Sequence, residues 1–157
     1  MKIKRTDKIR QVIKSVSDLG NVRIMAGWVR PGQKHGDTKL TMSQLAYVME
    51  YGVKVAKRPY IPPRPMLRIT WRLKSKNWVQ QAGKLAKSVL EGKAKGNTMP
   101  HKLGALIADD IKDVMSTSSL FAENRPSTVR KKGKNTPLID TGELRDAVDY
   151  VVNPRDK

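Results

Sequence analysis

The chain has 157 residues, 38% hydrophobic and only 5% aromatic, with 32 Lys and Arg against 14 Asp and Glu for a formal net charge of +18. The length is that of one domain with a modest core, and the low aromatic content leaves part of the chain to order against other subunits. Disulfide and thiol chemistry are excluded because there is no cysteine, and no apolar run reaches the roughly 18 residues a membrane span needs. The N-terminus carries charge with no apolar run behind it, so no secretory signal is expected. So basic a balance points to nucleic acid, an anionic membrane or an acidic protein as partner, or to solubility alone.

Ile9, Val12, Ile13, Val16 and Leu19 recur at helical spacing, and Gly20 sits where a left-handed cap belongs; a helix is predicted over about 5–19. Val22, Ile24, Ala26 and Trp28 alternate with Arg23, Met25 and Gly27 as in a half-buried strand, which Pro31-Gly32 ends. Residues 31–40 are polar and glycine-containing and suit a mobile arm. Thr41-x-x-Gln44 has capping-box spacing and opens a short helix through Tyr51, with Gly52 as its stop. Residues 53–61 read as extended, with Val53 and Val55 on an edge strand because Pro59 cannot donate to a ladder.

Pro65 suits the first position of a long helix running to about 91, with Ile69, Leu73, Ala82, Leu85, Ala86, Val89 and Leu90 on its buried side. If Gly83 does not interrupt it, the rod is roughly 39 Å long. Gly92 to Asn97 breaks the pattern. A second helix from Thr98 to about Thr117 carries the stripe Leu103, Leu106, Ile107, Ile111, Val114 and Met115. Residues 118–137, polar and basic, read as a second mobile loop. Asp140 or Thr141 caps a helical turn at 142–147, and Val148, Tyr150 and Val152 mark a last strand. The order gives an α+β fold, a small antiparallel sheet packed with several helices in a single domain over 1–157.

His35 and His101 have no second ligand at metal spacing and read as exposed. Asp109, Asp110 and Asp113 share part of one helix and read as a solvated face rather than an acid–base or cation-holding pair. Ser116 to Ser119 lack nucleophile-elbow glycines, and no phosphate-loop or dinucleotide pattern occurs. The chain therefore reads as non-enzymatic, with no cofactor or metal. The basic run Arg130, Lys131, Lys132 and Lys134 is open to three readings: phosphate contact, an acidic partner, or a solvated loop. No aromatic interrupts it to stack a base. Trp71 and Trp78 are assigned to core packing, with a subunit contact as the alternative.

Two strings stand out, Ile61-Pro62-Pro63-Arg64-Pro65-Met66-Leu67-Arg68 and Leu138-Ile139-Asp140-Thr141-Gly142-Glu143-Leu144-Arg145. Each joins a backbone stop to a helix start with an arginine one turn in. Together with Glu50-Tyr51-Gly52, and with the apolar Val148 that follows, they resemble segments of the tail-completion, or head–tail joining, proteins of long-tailed bacteriophages over about 45–152. Pro63 and Met66 depart from that pattern, which more often has a small residue and a phenylalanine there, and the loop before Leu138 is unusually charged.

The resemblance implies an α+β subunit of a homo-oligomeric ring, six-fold, at the virion neck or tail end. Such a ring, assembled in the host cytoplasm, joins the head connector or adaptor to the tail tube or terminator. It surrounds the path of the packaged DNA, with no membrane partner. Glu50, Tyr51, Gly52, Pro62, Arg64, Pro65, Arg68, Asp140, Thr141, Gly142, Leu144 and Arg145 are then the motif or interface candidates. Arg64, Arg68 and Arg145 would fix motif geometry or pair across subunits. A basic nucleic-acid-binding accessory protein is the alternative, carried by the +18 charge.

Overall fold

The computed structural model describes residues 5–36, 39–55 and 58–154. In chain order it has α1 (Arg5–Gly20), β1 (Val22–Gly27), α2 (Met42–Tyr51), β2 (Val53–Val55), β3 (Arg58–Ile61), α3 (Met66–Leu90), α4 (Thr98–Ser116), a 3-10 turn (Ser118–Leu120), α5 (Pro126–Lys132), α6 (Glu143–Asp146) and β4 (Asp149–Pro154). The α+β class and the long helix are as expected, and α3 runs through Gly83 without a break. The strands form two separate antiparallel pairs, β1 with β4 and β2 with β3.

The first pair joins the strand that follows α1 to the last described strand, from Val22 opposite Pro154 to Gly27 opposite Asp149. Helix α4 packs against both strands. Gly104 makes this possible, because a Cβ there would clash with the edge of the Tyr150 ring. Arg30 closes the end of the pair by donating from Nε and a terminal nitrogen to Asp149 Oδ2 at 3.0 and 2.7 Å.

The core is built by Met42 and Ala46 of α2, Met66 and Ile69 of α3, Ala108, Ile111, Val114 and Met115 of α4, and Phe121, Leu144, Ala147 and Val148. Met66 and Met115 are fully buried at its centre. With a single phenylalanine in the chain, flexible methionines fill the volume that aromatic rings would otherwise occupy.

The pattern of burial departs from the sequence in several places. Helix α1 forms as expected, but Ile9 and Ile13 are more than half exposed, and Val16 nearly so. Among the described residues its main packing partner is α3. Leu73 and Leu90 are likewise exposed. Helix α3 meets different neighbours along its length, so its buried side turns: Met66, Ile69 and Thr70 at one end, Val89 at the other.

Pro65 lies one position before the helix rather than at its first residue. Residues 118–137 are not a structureless loop. Pro126 starts α5, and Gly133, at φ 71°, ends it in the left-handed region that favours glycine. The 31–40 segment is tied at its base, with Met42 N donating to Gln33 O at 2.7 Å. Residues 56 and 57, within the predicted extended stretch, lie outside the described residues, as do 37 and 38 of the arm.

Met115→Ala is expected to lower stability by about 2–5 kcal/mol, whereas Ile13→Ala should change it by less than about 0.5 kcal/mol in urea unfolding. The Arg30 hydrogen bond, with help from Tyr150 N, holds the Asp149 carboxyl below its ordinary range. A lowered folded value contributes stability above the unfolded value near 4, and that contribution is lost as pH falls through the folded value. Arg30→Ala should therefore cost a few tenths of a kcal/mol at neutral pH, on the scale of a surface pair, and nothing in strong acid.

Candidate functional site: the cleft between the two motifs

The capping box at Thr41 starts α2 as its spacing predicts, with Gln44 N donating to Thr41 Oγ1 and Thr41 N to Gln44 Oε1. That start aims Glu50, near the other end, at α3. The Glu50 side chain is buried and accepts from Leu67 N at 2.9 Å and from Arg68 N at 3.4 Å. It thereby caps a helix whose own cap residue, Pro65, offers no side-chain acceptor. Arg68 Nε donates to Glu50 Oε1 at 3.0 Å, and a terminal Arg68 nitrogen donates to Glu50 O at 3.1 Å. The same guanidinium lies 5.1 Å from the Tyr51 ring centre.

Gly52 has φ 72°, and a Cβ there would sit 2.5 Å from Ile61 O and 2.8 Å from Pro63 N. The Glu50-Tyr51-Gly52 turn and the Ile61–Arg68 string are therefore one piece of structure. Arg64 pins that piece to the chain beyond α4. Its N donates to Met49 O, its Nε to Ala122 O at 2.9 Å, and a terminal nitrogen to Glu123 O and Asn124 Oδ1, both at 3.1 Å. Burial lowers the Arg64 pKa from its ordinary value, although an arginine stays charged at neutral pH.

The second string is held by the basic run. Lys132 Nζ donates to Ile139 O at 2.8 Å and Thr136 O at 3.3 Å, and lies 3.8 Å from Asp140. Leu138 is driven to φ 64°, an uncommon conformation for a branched side chain. Gly142, at φ 93°, occupies the cap position of α6, and Thr141 Oγ1 accepts from Glu143 N at 3.3 Å. Asp140 turns to Lys132 instead of capping. Leu144 is buried, and its carbonyl accepts from Trp28 Nε1 at 2.7 Å. Arg145 pairs with its neighbour Asp146 at 2.8 Å, and that hydrogen bond raises its pKa.

The two strings face one cleft of about 300 Å³, with Ile61, Pro62 and Arg64 on one side and Asp140 to Leu144 on the other. Asn124 Nδ2 is a buried donor without a hydrogen-bond partner beside it. His35 reaches the same cleft, its Nδ1 3.0 Å from Glu143 Oε2, so it is not the freely solvated histidine expected. His101 is exposed, with its ring edge-on to Tyr150. The cleft offers cations, two carboxylates and an apolar wall, the makings of a docking surface. Among the described residues no three His, Asp or Glu side chains converge as metal ligands would, and no helix is long and apolar enough to cross a membrane.

Other expectations need correction. Asp110 is not on a solvated face. It is buried, accepting from Trp78 Nε1 at 2.7 Å, with Lys74 Nζ at 2.9 Å. Its phase was readable, because Asp110 lies three residues after Ile107 and four before Val114, on the apolar stripe itself. Trp71 is exposed, not core, while Trp78 is half-buried. Of the four basic-run residues, Arg130, Lys131 and Lys134 are exposed, but Lys132 acts inside the chain. Asn124, and the internal role of Lys132, carried no sequence signal. No family model matches the chain, and neither a curated protein nor a solved structure matches it.

Glu50→Ala leaves two α3 amides and a guanidinium without their acceptor and should cost about 2–3 kcal/mol in chemical denaturation. Glu50→Gln, which keeps an acceptor, should lose less. Gly52→Ala should be at least as damaging as Glu50→Ala, because both its backbone angle and the Ile61 carbonyl oppose a Cβ.

Proposed function

We propose that the chain is a structural subunit of a phage neck or tail end, which joins the tail to the head connector by assembling into a ring. The observation that carries this reading is the uncovered apolar surface: Ile9, Ile13 and Val16 on α1, and Leu67, Leu73, Val79 and Leu90 on α3. Exposed apolar residues grouped on helices mark surfaces meant for other proteins. Such surface suits a chain that completes its core against neighbours. The convergence of the three resembling segments lends further support, since Gly52 packs closely on Ile61 and Pro63, and the Ile61–Arg68 and Leu138–Arg145 segments line one cleft.

A second reading is a basic nucleic-acid-binding accessory protein. It is supported by the +18 charge and by Arg130, Lys131 and Lys134 exposed at the end of α5. These three residues, with Lys132 left in place, are the variant set that tests the patch without disturbing the fold.

Loss of the protein during infection should leave filled heads and separate tails in electron micrographs, with copies of the chain encircling the DNA exit of complete particles. Joined particles that lack the chain would rule the assembly reading out. Changing Arg130, Lys131 and Lys134 to Ser should impair joining under the first reading. Under the second it should weaken DNA binding, which falls steeply between about 50 and 200 mM salt.

A further inference from the structure

We infer that the aromatic row running from α2 onto α3 is a platform for single-stranded nucleic acid. The inference deepens the nucleic-acid reading and rests on it.

Tyr47 and Tyr51, one turn apart on α2, lie with ring centres 4.8 Å apart and are 67% and 57% exposed. The Arg68 guanidinium lies 5.1 Å from the Tyr51 ring centre. Trp71, three residues further along α3 and so on the neighbouring surface, is 66% exposed. It meets Trp78 edge-on at 5.9 Å. The whole chain has only eight aromatic residues: three Trp, four Tyr and one Phe. Half of them lie in these two pairs, which Arg68 links, and three point most of their surface at water.

The charge beside them is of one sign. Helix α3 carries Arg68, Arg72, Lys74, Lys76, Lys84 and Lys87, and no Asp or Glu. Arg68 and Lys74 are held by Glu50 and Asp110, and Lys87 lies 3.8 Å from Glu91. Arg72 and Lys76 follow Arg68 at one-turn intervals and have no ion pair among the described residues. The row thus offers flat apolar faces flanked by unneutralised cations.

A single strand matches both features at once. Its bases present π-faces to the rings, and its phosphates take up the cations. A duplex keeps its base faces stacked inside and could use only the cations. A second copy meeting this row with its own like face would set cation against cation. An acidic protein would satisfy the charge, but a protein hot spot is walled by surface that keeps water out. These rings stand instead beside Arg72 and Lys76.

The test uses the full chain and a dT oligonucleotide of about 12 nucleotides, within the usual site size. Tryptophan emission should be quenched on titration, with the affinity falling by at least about tenfold from 50 to 200 mM salt. Trp71→Ala should weaken single-strand binding by about 5- to 100-fold and leave binding of an equal-length duplex within about twofold. Trp71→Phe should bind nearly as wild type. Circular dichroism checks that these exposed substitutions leave the helices intact.

Equal single-strand affinity for wild type and Trp71→Ala overturns the inference. If the Arg130, Lys131 and Lys134 to Ser variant then loses affinity for both nucleic acids, the broader nucleic-acid reading survives without the platform. No binding of either oligonucleotide at about 50 mM salt sinks both. Polyglutamate that binds with the same Trp71 dependence would reassign the row to an acidic polypeptide.

Discussion

Glu50 sits in the last turn of α2, where a negative charge disfavours the helix that bears it, and faces the first turn of α3, where it is favoured. Burial at that place is tolerable only because the acceptors are used: two α3 amides and the Arg68 side chain converge on them. The carboxylate therefore fixes the angle between the two helices. Gly52 can then approach the Ile61 carbonyl, Arg64 can reach the carbonyls of Ala122 and Glu123, and Met66 can enter the core. The rest of the middle of the chain follows from this corner.

The second motif is organised differently. The Ile61–Arg68 string is held by backbone contact and a helix cap, whereas Leu138–Arg145 is held from outside by Lys132 and Trp28. A lysine in the most basic part of the sequence spends its charge on two carbonyls. What the charged run leaves at the surface is three cations, not four. The two strings meet across a cleft that α2, the 31–40 segment and α5 also help to wall, through Met49, His35 and Lys132. A cleft held this way by backbone and side-chain hydrogen bonds would cost little ordering if a partner docked there.

Local chemistry was the legible part of the sequence. The capping box at Thr41 and Gln44, the stop at Gly52, and the alternation from Val22 to Ala26 each act over a few residues and appear as expected, whereas Gly20 ends α1 as its last helical residue and not as a left-handed cap. The α+β class followed from their order. What failed was burial. Ile13 and Leu73 are apolar at helical spacing yet exposed, because periodicity names a face without saying whether anything covers it. Asp110 is the converse, a charge in phase with the stripe whose partners, Lys74 and Trp78, lie 36 and 32 residues away. The cleft was half legible. Its proline and glycine backbone stood out, but Asn124, His35 and Lys132 reach it only through the fold.

Helix α1 illustrates what a thinly anchored element does. It rests on α3 and, through Ser15, on the turn at Gly96, where a Cβ would stand 2.9 Å from the Ser15 carbonyl. Little apolar area is removed from water when it docks. Its amides should accordingly exchange with solvent deuterium through a local opening that leaves α3, α4 and the β1–β4 pair protected. Such an opening would make the first helix an element that can leave and re-engage while the core stays folded.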